Sequence, residues 1–265
     1  IGVGSGLDAL ALVLRAWGIG PGDEVIVPSH TFIATWFAVE QVGAGVIPVE
    51  PDGATLTIDP DLIEAAITPR TRAIVPVHLY CQPADMGRIM DVAGRHRLKV
   101  LEDASQVHGA RLGGARVGSL GDAAAFSLYP TKPLGGIGDG GVVTTSDPAL
   151  AERLRTLRSY GSREKYHHEL KGVNSRLDPV QAAVLDLKLE LLDEWNARRG
   201  VLADTYLREL GDLPGLRLPE VRNQATPTWH LFVVRCAERD ALRRHLLERG
   251  VQTLLHYPVP CHRAD

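Results

Sequence analysis

The sequence predicts an α/β fold, a mostly parallel sheet sandwiched by helices, with a smaller α+β domain at the C-terminal end. Two observations predict it. Through the first 160 residues short apolar runs alternate with helix-like stretches, the pattern of strands joined by crossover helices and covered on both faces. The helix starts are also explicit: Asp59 precedes Pro60, and Asp178 precedes Pro179, a capping residue followed by a proline that needs no amide hydrogen at the first helical position.

The elements follow in order. Ile1-Gly2-Val3 reads as the end of a strand, and residues 8–17 (DALALVLRAW) as a strongly apolar helix closed by the glycines of 18–22. Residues 24–27 form a buried strand halted by Pro28, 31–42 a helix, 45–49 a strand, and 60 to about 67 the helix capped by Asp59. A strand at 73–77, a helix at 84–96 and a strand at 99–101 come next, then strands at 123–128 and 141–145 and an amphipathic helix at 147–158. Residues 161–176 (GSREKYHHELKGVNSR) are polar and loop-like, and 178–195 is one long helix. Beyond it, Pro- and Gly-rich joints flank an alternating strand at 230–236 and a helix at 240–250, so the domains are expected at 1–178 and 179–265.

Composition narrows the function classes. The 265 residues carry 29 basic and 32 acidic side chains, a formal charge of −3 that gives nucleic acid or an anionic membrane no general attraction. Cys81, Cys236 and Cys261 form no CxxC pair, so neither a disulfide framework nor a zinc site is indicated and a cytoplasmic protein is expected. No apolar run approaches the roughly 20 residues that cross a bilayer. A start at Ile1 rather than Met and an abrupt stop after His262-Arg263-Ala264-Asp265 read as a fold truncated at both ends.

In such sheets ligands gather at the carboxyl ends of the strands, so the polar residues there carry the interest. Asp103, in LEDASQVHG, directly follows an apolar strand, with Gln106 and His108 close behind. An acid there serves either as a helix cap or as a carboxylate facing a cationic ligand group. Lys132, in SLYPTKPLGGIGDGG, is bracketed by Pro130, Pro133, Gly135 and Gly136, a rigid and then permissive backbone that can fix an amine in place. An amine so placed and partly desolvated captures carbonyl compounds. Ser127 offers a hydroxyl at a strand end, and Val3-Gly4-Ser5-Gly6-Leu7-Asp8 opens a helix whose free amides suit an anion. That opening lacks a P-loop lysine and a complete G-x-G-x-x-G. Phe32, in PSHTF, is either core or a stacking surface. A phosphate site, a stacking aromatic, a strand-end carboxylate and a loop lysine together fit pyridoxal 5′-phosphate (PLP), which has an aldehyde for Lys132 and a pyridine nitrogen for Asp103.

The stretches GVGSGLDAL, GDEVIVPSHTFIAT, TPRTRAIVPVHLY, LEDASQVHGA, FSLYPTKPLGGIGDGG, YGSREKY, KGVNSRLDPVQAAVL and HYPVP, in that order, resemble the DegT/DnrJ/EryC1/StrS sugar aminotransferases. The resemblance runs along the whole chain. It implies the fold-type I PLP-dependent transferase architecture and a homodimer with sites at the subunit interface. By the same resemblance Lys132 matches the Schiff-base lysine, and Asp103 the carboxylate that keeps the pyridine nitrogen protonated. Gln106 matches the residue beside the ring and its hydroxyl, and Phe32 the stacked aromatic. Ser127 and the amides of Gly6 and Leu7 match phosphate ligands, and Asn174 a residue reaching the neighbouring subunit's phosphate. Leu7 stands where many members carry Thr, leaving only its backbone to serve, and Pro133 stands where Asn is common.

The implied reaction moves an amino group from L-glutamate to a nucleotide-bound keto-deoxysugar, with Lys132 as general base and acid, in antibiotic or polysaccharide sugar biosynthesis. The stretch YGSREKYHHELKGVNSRLD is similar to members acting on dTDP-3-keto-6-deoxyhexoses. A 4-keto sugar and a non-catalytic PLP-binding regulatory protein are the alternatives. Relatives that dehydrate instead carry His in place of the lysine, which Lys132 argues against. His167 and His168 either face the sugar or are a solvated loop pair.

Overall fold

A computed structural model describes residues 1–263; Ala264 and Asp265, where the sequence reading places an abrupt stop, lie outside the described residues. The chain runs β1 (Gly2–Val3), α1 (Gly6–Ala16), β2 (Glu24–Pro28), α2 (Ala34–Gln41), β3 (Gly45–Val49), α3 (Pro60–Ala66), β4 (Thr71–Ile74), α4 (Met86–His96) and β5 (Lys99–Asp103). It continues through β6 (Arg111–Leu112), β7 (Ala115–Arg116), β8 (Ala123–Ser127), β9 (Gly141–Thr144), α5 (Pro148–Leu157), β10 (Ser162–Glu164) and β11 (His167–His168). The long α6 (Pro179–Leu210), β12 (Ala225–Thr226), α7 (Arg239–Glu248) and a short 3₁₀ turn (Cys261–Arg263) complete it.

Seven strands form one sheet in the order β1-β9-β8-β5-β4-β2-β3. The run from β8 to β3 is parallel, and β9 lies antiparallel to both β8 and β1. Strand alternation sends successive side chains to opposite faces, and both faces are buried. Val25, Val27, Ala73, Leu101, Ala123 and Ala125 join α1, α2 and α5 in one core, while Ile26, Ile74 and Val100 join α3 and α4 in the other. This parity sets the site. Asp103 and Ser127 continue the rows of Leu101 and Ala125 on the α1 side, and Glu102 continues the row of Val100 on the α3–α4 side.

Several boundaries depart from the sequence reading. Asp103 is the last residue of β5 rather than the residue after a strand, because Asp103 Cα is still in register with Ala125 of β8. The helix expected at 31–42 begins only at Ala34, since Thr31 stays in the loop and bonds forward to the first turn. The long helix does not stop at 195 but runs 32 residues to Leu210. The stretch after 195 is rich in helix formers, and its single interior glycine, Gly200, costs only about 1 kcal/mol. The alternating segment 230–236 is not a strand. An alternating pattern needs a neighbour to pair with along its length, and among the described residues it has only the Arg217–Arg235 bridge and one isolated bond from Leu231 N to Tyr80 O. The polar loop 161–176 carries the small β10–β11 hairpin, so His167 and His168 are exposed on a strand. Among the described residues no helix is long and apolar enough to cross a membrane.

Candidate active site

The site grows from the carboxyl ends of β5 and β8. Ser5 caps α1 by accepting from the Asp8 amide at 3.0 Å, which leaves the Gly6 and Leu7 amides of the first turn without an intrahelical acceptor. Gly6 is pressed onto β8: a Cβ there would stand 2.7 Å from Ser127 Cβ. The missing side chain at position 6 therefore lets the start of α1, with its two free amides, lie directly against Ser127, and amides with a hydroxyl are a donor set that suits a phosphate. Ser175 ties the same helix start to the polar loop, accepting from Gly4 N at 2.9 Å and donating to Asp8 at 2.6 Å. Its neighbour Asn174 is exposed and bridges to Ser159.

After β8 the chain turns sharply. Lys132 N donates to Tyr129 O at 2.9 Å, and Gly136 N to Leu128 O at 2.8 Å. Gly135 packs directly on the turn, where a Cβ would be 2.4 Å from Pro130 O. Helix α6 holds the loop from outside: Lys188 Nζ donates to Gly135 O at 2.6 Å, and Ile137 N donates to Gln181 Oε1 at 2.8 Å. The glycines and prolines flagged in the sequence thus fix where the Lys132 amine emerges. Burial pushes its pKa down from the ordinary lysine value, and the negative charge of Asp103 partly restores it. That opposition places Asp103 within electrostatic reach of the amine.

Asp103 is 5% exposed and both its oxygens are held: Oδ2 accepts from Thr35 Oγ1 at 2.9 Å and Oδ1 from Ser105 N at 3.2 Å. Beside it, Gln106 accepts from the Tyr80 amide at 2.7 Å and donates to Tyr257 Oη at 3.1 Å. Tyr257 lies 5.9 Å from the Phe32 ring, centroid to centroid. Phe32 itself is 54% exposed, which removes the core reading and leaves a free aromatic face.

His108 is buried against Phe126, and neither ring nitrogen has a hydrogen-bond partner among the described residues. Burial, with Lys132 nearby, pushes its pKa down to about 3, as burial does for His230. His30 and His256 are likewise lowered by burial. The imidazoles around the lysine are thus held neutral.

Glu102 and His78 form a second buried pair behind Asp103, with Nε2 to Oε2 at 3.0 Å. Glu102 also accepts from the amides of Gly118, Leu120 and Gly121, and His78 accepts from Ala84 N at 2.9 Å. Burial opposes ionisation of Glu102, but the His78 bond and the amides more than offset it and hold the carboxyl below its ordinary range.

Within one chain, then, Gly6, Leu7, Phe32, Asp103, Gln106, Ser127 and Lys132 line one end of the sheet. Thr31, Thr35, Tyr80, His230 and Tyr257 are additions that the motif reading missed, and Glu102 supports β5 from the opposite face of the sheet. No local pattern marks Thr35, whose hydroxyl reaches a carboxylate 68 residues away in the chain.

The DegT/DnrJ/EryC1/StrS aminotransferase family model matches residues 1–265. The chain belongs to this family. It is 61% identical over 260 residues to the erythromycin biosynthesis sensory transduction protein EryC1 of Saccharopolyspora erythraea, covering 98% of this chain and 71% of that protein. It is 60% identical over 262 residues to dTDP-3-amino-3,4,6-trideoxy-alpha-D-glucose transaminase of Streptomyces venezuelae, covering 99% and 69%. The crystal structure of S. venezuelae DesV in complex with a ketimine intermediate superposes with a TM-score of 0.99 at 59% identity, over all of this chain and 71% of that one. The sheet and its two helix layers are accordingly the fold-type I architecture of this aminotransferase family, as the sequence implied, and the chain is an aminotransferase.

Proposed function

We propose that the chain is a PLP-dependent aminotransferase that moves an amino group from L-glutamate to the 3-keto group of a dTDP-6-deoxyhexose in antibiotic sugar biosynthesis. The observation that carries this reading is the convergence of a half-buried Lys132, on the loop after β8, with a buried Asp103 at the end of neighbouring β5, close enough for its charge to act on the amine. The donor set fits PLP. The Gly6 and Leu7 amides and Ser127 Oγ would hold the phosphate, Phe32 the ring face, Gln106 the ring edge, and Asp103 the pyridine nitrogen.

When bound, PLP supplies an aldehyde that captures amines and a cationic ring that draws electrons from the adjoining carbon. The remaining work falls to the chain. Lys132 Nζ, favoured in its neutral form by burial, would be the nucleophile that holds the cofactor's aldehyde carbon, and it would be the base that takes a proton from the substrate carbon and returns one. Asp103, its oxygens held by Thr35 Oγ1 and the Ser105 amide, would face the ring nitrogen and favour positive charge there. The neutral His108, His230 and His256 add no competing positive charge around the amine.

A cavity of about 740 Å³ opens beside this cluster, lined by His30, Glu50, Tyr80, Arg235, His256 and Tyr257. Its size suits a nucleotide-sugar. The 3-keto assignment is supported by the name of the S. venezuelae relative at 60% identity, a dTDP-3-amino-sugar transaminase. In the proposed homodimer, residues 1–178 form the cofactor domain, 179–265 the smaller one, and Asn174 serves the neighbouring subunit's phosphate.

One half-reaction tests the proposal. Protein loaded with PLP and given L-glutamate is expected to release 2-oxoglutarate and shift the cofactor to its amine form, and borohydride before glutamate is expected to fix the cofactor on Lys132. A 3-keto sugar should then restore the starting spectrum, whereas restoration by a 4-keto sugar alone would move the regiochemistry. The name of the relative at 61% identity favours a second reading, a regulatory protein that binds PLP without turnover. Labelled Lys132 with no response to glutamate would establish that reading instead.

A further inference from the structure

Thr35 touches two of the groups that converge on the site. Its backbone amide donates to Phe32 O at 3.2 Å, and its hydroxyl donates to Asp103 Oδ2 at 2.9 Å. The Phe32 loop follows β2 and the Asp103 carboxylate ends β5, yet one residue in the first turn of α2 bonds to the backbone of the first and the side chain of the second. Thr35 is 1% exposed and Thr31 3%, so solvent competes for neither hydroxyl.

The direction of each proton follows from chemistry. An ionised carboxylate only accepts, so the Thr35 hydroxyl must donate its single hydrogen to Asp103. Thr31 Oγ1 lies 3.0 Å from Thr35 Oγ1, and with the Thr35 hydrogen committed, Thr31 must be the donor. Two hydroxyls in series therefore point at one carboxylate, and chains of this kind strengthen each bond by polarisation. The Ser105 amide occupies the other oxygen. What remains is a carboxylate fixed in rotation, with lone pairs left over for a ligand.

We propose that Thr35, backed by Thr31, is a positioning residue that sets the Asp103 carboxylate against the ring nitrogen of the cofactor and ties that setting to the Phe32 loop. The inference rests on the assignment of Asp103 given above. Thr35 itself touches no reacting atom. Its effect passes through Asp103, which also has the His78 amide on its backbone carbonyl, Lys132 and Tyr257 within electrostatic reach, and Glu102 as its chain neighbour facing the opposite side of the sheet.

The test compares Thr35→Val, Thr35→Ser and Asp103→Asn in the full chain, reading PLP affinity, the absorption spectrum of the bound cofactor, and the melting temperature without cofactor. Valine keeps the shape and deletes the hydroxyl. It is expected to weaken PLP binding about tenfold, the weight of one hydrogen bond to a charged group, and to change the absorption spectrum of the bound cofactor at fixed pH. Serine restores the hydroxyl and is expected to return both affinity and spectrum, which a merely structural role for the threonine would not require. Wild-type affinity and spectrum in Thr35→Val, with Asp103→Asn impaired, would overturn this inference alone. Wild-type behaviour in Asp103→Asn would overturn the assignment of Asp103 and this inference with it. If Thr35→Val does not fold, Thr31→Val takes its place, with a loss of about threefold expected and no loss overturning the proposal.

Discussion

Gly6 stands against Ser127 so closely that a Cβ on the glycine would fall 2.7 Å from the serine Cβ and 3.0 Å from its Cα. Neither neighbour is the free end of a flexible side chain, so nothing there can yield cheaply. The backbone of α1 approaches β8 because residue 6 has no side chain, and that approach brings the start of the helix, which carries the Gly6 and Leu7 amides, against Ser127. Gly6→Ala is therefore expected to push the helix start off the strand and weaken PLP binding by tenfold or more, an overpacking cost of about 1–3 kcal/mol. Titration of PLP into the variant checks this, and unchanged affinity would remove these groups from the phosphate site.

Lys132 gives a prediction with a definite sign. Burial lowers its pKa, and Asp103 raises it part of the way back. The amine should therefore titrate below the ordinary 10.5 in the cofactor-free protein, and in Asp103→Asn lower still. Reductive methylation with isotope-labelled formaldehyde, followed by an NMR titration of the Lys132 signal, measures both values. An upward move in Asp103→Asn would show that the carboxylate does not face the amine.

Glu102 carries a different kind of weight. Its carboxylate accepts from His78 and from the amides of Gly118, Leu120 and Gly121, with no exposed surface on either side chain. Glu102→Leu strands three amides and an imidazole at once. At about 1–3 kcal/mol for each unsatisfied buried group, a loss of at least about 4 kcal/mol is expected. Urea unfolding without cofactor measures it, and a loss below about 1 kcal/mol would mean that water or a shifted loop replaces the carboxylate.

The contrast between Glu102 and Asp103 shows how far the sequence can be read. Asp103 stood out because a charged residue at the end of an apolar run marks the ligand end of a parallel strand, and Lys132 because prolines and glycines bracket it. Glu102 has no such mark, since its role depends on the loop at 118–121 folding back over the opposite face of the sheet. Thr35 is equally silent: its partner is 68 residues away, and only the parity of β5 brings the carboxylate under α2. The mostly parallel sheet, the crossover helices and the Asp59 cap were legible because apolar periodicity and capping act locally, while the strand order was not. Segment 230–236 misled because alternation states a capacity to pair, while pairing depends on what lies alongside.

His108 sets the response to acid. It is 4% exposed, its ring nitrogens have no partner among the described residues, and burial pushes its pKa from 6.5 down to about 3. In the unfolded chain it protonates near its ordinary value, so between about 6.5 and about 3 the unfolded state binds a proton that the folded state refuses. The stability that neutrality preserves is complete above pH 6.5 and is lost progressively below it, at about 1.4 kcal/mol per pH unit for one such group. Moving from pH 7 to pH 5 should thus cost about 2 kcal/mol through His108 alone. His108→Phe removes both the titration and the unpaired nitrogens, and replacing unpaired polar atoms with apolar ones of similar shape is close to neutral at pH 7. The two proteins should therefore unfold in similar urea at pH 7 and diverge at pH 5, with the phenylalanine variant the more stable by about 2 kcal/mol. Parallel losses in both would mean that a water molecule or a small movement satisfies His108 and lets it protonate in place.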